Sequence, residues 1–125
     1  MALDRPLVIT AGEPAGIGPE LCNALVDSNF VDDIVVIGDQ RQLSAALDVI
    51  DTPFPELVIP GQPSSSNAET LLRGLRMAAE GCLDGTYSGM VTAPISKSVI
   101  AESGVDFSGH TEFLAAVTNA PLPVM

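Results

Sequence analysis

Few side chains in this sequence could do chemistry, and they gather in three stretches. His110 is the only histidine, within Ser108-Gly-His-Thr-Glu-Phe113. Gly109 before it permits an unusual backbone angle. Thr111 after it brings a hydroxyl and a backbone N–H to what reads as a helix start, and such a start suits an anion. Glu112 either holds the imidazole or simply favours the helix dipole. A lone histidine can be a plain structural residue, yet the Gly-His-Thr setting favours ligand contact. One imidazole leaves too few ligands for a complete metal site. A Ser-His-Asp triad is recognised by geometry, so spacing alone does not make one here.

The second stretch is Thr92-Ala-Pro-Ile-Ser-Lys97. Lys97 is the only basic residue after Arg76. The helix dipole does not help a cation at a helix start. Lys97 is therefore either a solvated surface charge or the counter-charge of a phosphate or carboxylate.

The third stretch, Thr10-Ala-Gly-Glu-Pro-Ala-Gly-Ile-Gly-Pro-Glu20, follows the apolar run Leu7-Val-Ile9 and precedes helically spaced Leu21, Ala24 and Leu25. Pro19 suits a first helical turn, and Gly18 before it can be the N-cap. The loop has little bulk, so a ligand could approach its backbone. The dinucleotide fingerprint would need glycine where Leu21 stands, and no Gly-Lys-Ser/Thr follows as in a P-loop. Glu13 and Glu20 would repel an anion. An ordinary tight turn and a ligand-facing loop are both open readings.

The elements that must position these residues alternate. Strands are predicted at 6–10, 34–37, 57–59 and 89–92, the second closed by Gly38. Helices are predicted at 19–28, 39–50, 66–85, 96–102 and 111–119. Asp39 would cap the second helix, with Leu43, Ala46, Leu47 and Ile50 on one face. Ser66-Asn-Ala-Glu69 has the spacing of a capping box, before a stripe of Leu71, Leu72, Leu75, Ala78, Ala79 and Leu83. Such alternation implies a parallel sheet covered on both faces. In such sheets ligands bind outside the carboxyl ends of the strands, where all three stretches fall. Pro121-Leu-Pro-Val-Met125 reads as the approach to a further strand, so the chain reads as the N-terminal piece of a longer protein.

Composition narrows the function classes. The 125 residues suit one domain, and 46% hydrophobic residues can fill a core. A net charge of −11 argues against nucleic-acid or anionic-membrane surfaces. No apolar run approaches membrane-spanning length, and no signal peptide is evident. Cys22 and Cys82 form no C-x-x-C and fall on apolar faces, so buried free thiols in a reducing cytoplasm are expected.

Together, Gly12-Glu-Pro-Ala-Gly-Ile-Gly-Pro-Glu20, Val91-Thr-Ala-Pro-Ile-Ser-Lys97 and Phe107-Ser-Gly-His-Thr-Glu-Phe-Leu114 resemble the N-terminal third of the 4-hydroxythreonine-4-phosphate dehydrogenase family, in order and placement. Gly16-Ile-Gly-Pro-Glu20 is also similar to the N-terminal loop of the isocitrate and isopropylmalate dehydrogenases, whose fold that family shares. The resemblance implies a three-layer α/β/α fold with a mainly parallel sheet. Residues 1–125 would be a single α/β segment, the N-terminal portion of a two-domain dehydrogenase. It implies NAD- or NADP-dependent oxidation of 4-phosphooxy-threonine, or a related phosphorylated hydroxy acid, followed by decarboxylation, in pyridoxal phosphate biosynthesis. It implies a divalent zinc, magnesium or cobalt ion whose ligands lie beyond residue 125, and a homodimer with sites at the subunit interface. The family's substrate-binding Gly-His-Thr pair maps onto His110 and Thr111. Gly12, Glu13, Gly16, Gly18 and Lys97 are further candidates to face a ligand. Without the metal ligands, the 125-residue chain alone is expected to be inactive. The alternative is a non-catalytic α/β module that holds a small phosphorylated ligand. A receiver-like signalling domain ranks low, because Thr10, Gly38 and Thr92 stand where it would need acidic strand ends.

Overall fold

The computed structural model describes residues 4–124. Its centre is a four-stranded parallel sheet with strand order β3-β2-β1-β4, built from β1 (Leu7–Thr10), β2 (Ile34–Gly38), β3 (Val49–Asp51) and β4 (Gly89–Thr92). The register sets Leu7 beside Ile34 and beside Gly89, and Val36 beside Val49. Side chains alternate across a strand, and the core divides accordingly. Ile9, Ile34 and Val36 pack on one face with Ala11, Cys22 and Leu47. Val8, Val35 and Ile37 pack on the other with Ala78 and Tyr87. Helix α1 (Gly18–Ala24) supplies Cys22 to the first face, and α2 (Ala68–Leu83) supplies Ala78 to the second. The chain is thus an α/β fold with helices on both faces of a parallel sheet, as the alternation implies.

A third cluster positions the site. Ala68 and Leu75 of α2 pack with Ile100 of α3 (Lys97–Glu102) and with Phe107 in the loop before α4 (His110–Thr118). Phe113 of α4 leans on the same cluster. The loop carrying His110 is therefore anchored through Phe107, which is buried. Burying a side chain of that size is worth about 1.5–3 kcal/mol.

Two expected elements are absent, and local hydrogen bonds explain why. Residues 39–48 are a string of turns, not a helix. The Asn23 side chain on α1 accepts from the Ser44 N–H at 2.8 Å and donates to the Gln42 carbonyl at 3.0 Å. Asp39 caps no helix: its carboxylate takes the Arg41 N–H at 2.9 Å and the Phe54 N–H at 3.0 Å. The backbone here is held by side chains from elsewhere and has no helical ladder. Val49 and Ile50 then join β2 as the true third strand. The expected strand at 57–59 leaves the sheet. Thr52 makes the last bond to β2, at 2.8 Å to the Gly38 carbonyl. Pro53 and Pro55 lack the N–H a ladder needs. Leu57 is 86% exposed, and Ile59 makes only an isolated antiparallel bridge to Gln62.

Smaller corrections follow the same logic. Helix α1 starts one residue early, at Gly18, with Ile17 as N-cap, and gives way to a 3-10 turn at Leu25–Asp27. The capping box does not form: Ser64, not Ser66, accepts the capping bond, ahead of a 3-10 turn at Ser65–Asn67. Leu83 is 61% exposed and leaves the stripe. Cys22 is buried as expected, but Cys82 is half-buried; both thiols are free. Described residues 121–124 form no strand, and Met125 lies outside the described residues.

Candidate substrate site

The order β3-β2-β1-β4 reverses direction at β1. The crevice between β1 and β4 is thus the switch point where open α/β sheets bind ligands. The loop after β1 and the loop after β4 meet there. The Glu13 N–H donates to the Pro94 carbonyl at 3.0 Å, and the Gly61 N–H reaches the Ala15 carbonyl at 2.8 Å. Glycine makes the contact close enough. A Cβ on Gly12, which has φ 73, would lie 2.5 Å from the Pro94 oxygen. One on Gly18 would lie 1.8 Å from the Ala11 oxygen.

Gly12 and Gly18 are accordingly buried between loops, and Gly16 is exposed. Glu13 is also buried, at 6% exposure. Its Oε1 accepts the Ala15 N–H at 3.1 Å, while Oε2 has no partner among the described residues. Burial pushes this carboxyl above its ordinary range, and the Ala15 N–H only partly offsets that. Beneath the loop lies a small cavity lined by Thr10, Gly12, Gly38, Thr52 and Thr70, with room for about one water molecule. The buried Thr10 hydroxyl has no partner among the described residues.

The stretch Ser108–Phe113 is built differently. Gly109 is the N-cap of α4, with φ 146 and ψ 177, and no side chain caps this helix end. Among the described residues no side chain caps the first-turn N–H groups of His110 and Glu112. Lys97 Nζ lies 3.4 Å from the point a Gly109 Cβ would occupy, and Glu112 Oε2 lies 3.2 Å from it. The Phe107 ring meets the His110 ring edge-on, with centroids 6.1 Å apart and planes at 77°. His110 is half-buried, and its Nε2 is buried without a hydrogen-bond partner. Burial, and next the Lys97 charge, push the imidazole below its ordinary value of 6.5. His110 is thus neutral at pH 7 and offers one donor and one acceptor nitrogen.

Of the residues singled out from sequence, the structure brings Lys97 and His110 together around Gly109. It ties loop 11–18 to Ala93 and Pro94, just upstream of Lys97. Sequence reasoning did not identify Phe107 as the support of His110. The signal was present: an apolar residue three positions before a histidine. Thr10 was also missed, because a threonine at a strand end carries no local sign of an unpaired hydroxyl.

Among the described residues no helix is long and apolar enough to cross a membrane. None of them forms a group of three or more His, Cys, Asp or Glu able to hold a metal ion.

Known proteins share this sequence and fold. The Azoarcus sp. strain BH72 4-hydroxythreonine-4-phosphate dehydrogenase is 40% identical over 148 positions, which take in 100% of this chain and 45% of that protein. The Pseudomonas aeruginosa enzyme of the same name is 40% identical over 94% of this chain and 44% of its own length. A crystal structure of the Klebsiella pneumoniae 4-hydroxythreonine-4-phosphate dehydrogenase superposes with a TM-score of 0.83 at 27% identity, over 93% of this chain and 45% of that one. The chain thus spans a little under half the length of these relatives, more than the third suggested by its motifs. The family model of the pyridoxal phosphate biosynthetic protein PdxA matches residues 6–125. Over that span, with its parallel sheet and the Gly109-His-Thr turn at the start of α4, the chain belongs to the PdxA family.

Proposed function

We propose that this chain is the N-terminal part of a dehydrogenase that oxidises 4-phosphooxy-threonine, or a related phosphorylated hydroxy acid, in pyridoxal phosphate biosynthesis. The observation that carries this is the family match over residues 6–125, with His110 and Thr111 at an uncapped helix start beside Lys97. In this reading oxidation precedes decarboxylation, the protein is a cytoplasmic homodimer, and the chain touches neither nucleic acid nor membrane.

The residues present suit one part of that chemistry. A phosphate at the start of α4 would take first-turn N–H groups and a neutral imidazole donor, with Lys97 supplying countercharge. Thr111 adds a hydroxyl. His110 and Thr111 are the substrate-binding pair, and Lys97 assists them. Loop 11–18 serves mainly as the wall that holds β1 to β4, with Gly16 its open glycine.

In this reading NAD or NADP would accept the hydride and a divalent zinc, magnesium or cobalt ion would polarise the alcohol, neither held by a metal-ligand cluster among the described residues. The donor set here does not fit the metal, since the chain's only histidine stands with no cluster of further ligands among the described residues. Its ligands are assigned to residues beyond 125.

The test is steady-state kinetics of the full protein carrying this chain, with 4-phosphooxy-threonine, NAD and a divalent ion. NADH formation is expected, and none from residues 1–125 alone. Absence of turnover by the full protein, or turnover by the fragment, would contradict the proposal.

A further inference from the structure

We propose that the small cavity beneath loop 11–18 is a built site for one internal water molecule, which answers the Thr10 hydroxyl and joins β1 to α2 and to the chain leaving β3. The site stands apart from His110 and does not rest on the reading of the substrate site. Thr10 is 4% exposed, and its hydroxyl has no hydrogen-bond partner among the described residues. Its carbonyl is already engaged, accepting the Ala93 N–H at 3.0 Å. A buried hydroxyl left unanswered costs stability, so such groups nearly always hold a protein or water partner. Thr10 lines the cavity, and no described protein group bonds to its hydroxyl.

The cavity is sized and lined for that molecule. Its volume is about 20 Å³. One water needs roughly 10–15 Å³ by this measure, so one fits and a second is crowded out. Cavities with purely apolar walls stay dry, and a resident water takes about two to four polar partners. Here Thr10, Thr52 and Thr70 all border the space, and all three are buried. They come from β1, from the residue after β3 and from α2. A hydroxyl can donate or accept, so three of them offer a water several ways to bond. Gly74 borders the same space from inside α2, where glycine is unfavourable relative to alanine. A Cβ there would stand 3.3 Å from Ile37 Cγ2, on another wall of the cavity. The glycine thus keeps the space open. The water ties three elements together beneath Gly12, at the foot of the loop that reaches Pro94.

The test is a crystal structure of the full protein carrying this chain, at a resolution that shows ordered solvent, beside thermal unfolding of two variants. One water is expected within hydrogen-bond distance of Thr10 Oγ1 and of the Thr52 or Thr70 hydroxyl. A dry cavity, or a protein group bonded to the Thr10 hydroxyl in place of water, overturns the proposal. Thr10→Val keeps the shape of the side chain and removes its hydroxyl, so the sign of its effect is informative. With a water in place, the variant loses a made hydrogen bond, and Tm should fall by about 2–4 °C. With the hydroxyl unanswered, the variant sheds a buried polar group, and Tm should hold or rise. That result overturns the proposal. Thr10→Ser keeps the hydroxyl and should retain the water, whereas Thr10→Val should lose it or hold it at reduced occupancy. A water equally ordered in Thr10→Val is not held by Thr10 and overturns the proposal too.

Discussion

Two glycine-bearing loops lie at ligand-binding positions in this fold, and they use glycine for opposite ends. In loop 11–18, Gly12 and Gly18 let backbone pack on backbone, and added Cβ atoms would strike carbonyl oxygens at 2.5 and 1.8 Å. At the start of α4, the three nearest atoms to a Cβ on Gly109 would be the ends of two long side chains. The first loop is closed by main-chain bonds and leaves one carboxylate oxygen stranded inside. The second is held through Phe107 from below and leaves the His110 Nε2 without a partner among the described residues. Of the two loops, the second sets its glycine beside movable charge.

The largest effect separating the two loops should come from Gly18→Ala. Its Cβ cannot coexist with the Ala11 carbonyl, so β1 and α1 must shift apart. A loss on the order of 3 kcal/mol or more is expected in urea unfolding. A loss below about 1 kcal/mol would show that the interlock is loose.

His110→Ala should reverse the pattern, with function falling and stability holding. Losing one hydrogen bond to a charged group costs roughly 1.5–3 kcal/mol, so KM of the full protein should rise about ten- to a hundredfold. The fall in kcat should be smaller, because the contact exists in the ground state too. An unchanged KM in both His110→Ala and Thr111→Ala would remove this site from substrate recognition.

A smaller effect tests what braces the first loop. Asp39 accepts from the exposed Arg41 side chain and from two backbone N–H groups. The Arg41 side-chain hydrogen bond foremost holds its carboxyl down at about 2, against an ordinary 3.8. A depressed carboxyl stabilises the fold above its unfolded value and loses that contribution as pH falls through the folded one. Stability attributable to Asp39 should therefore be intact above pH 4 and fade toward pH 2, by about 1–2 kcal/mol. Asp39→Asn should flatten this part of the acid unfolding profile. An unchanged profile would mean that the turn at 39–42, whose Gln42 donates to the Pro14 carbonyl at 2.9 Å, is not braced by this carboxylate.

The smallest change is expected from Gly16→Ala, within about 0.5 kcal/mol, because Gly16 is exposed and its nearest neighbour would stand at 3.4 Å. A large loss there would extend the interlock to the whole loop.

Much of this was legible in the sequence because it is local. The apolar runs at Leu7 and Ile34 mark strands buried on both faces, the Gly89–Thr92 run marks an edge strand with Val91 exposed, and the Leu71–Ala79 stripe marks α2. Gly109 before His110 marks the uncapped helix start. The segment from Asp39 to Gln62 was misread because its conformation is decided from a distance. Asn23, sixteen residues before Asp39, takes the hydrogen bonds that a helix over 39–50 would have made. No local pattern announces that. The inward turn of Glu13 was equally hidden, since it depends on Pro94 closing over the loop.

The contrast between the loops can be measured directly by titrating 4-phosphooxy-threonine into the isotope-labelled full protein and following backbone amide shifts. Saturable shifts at residues 97 and 109–112 are expected, with 12, 13 and 18 unmoved at the same ligand concentration. Shifts that begin at residues 12–18, with 109–112 silent, would contradict the assignment of the substrate site to the start of α4.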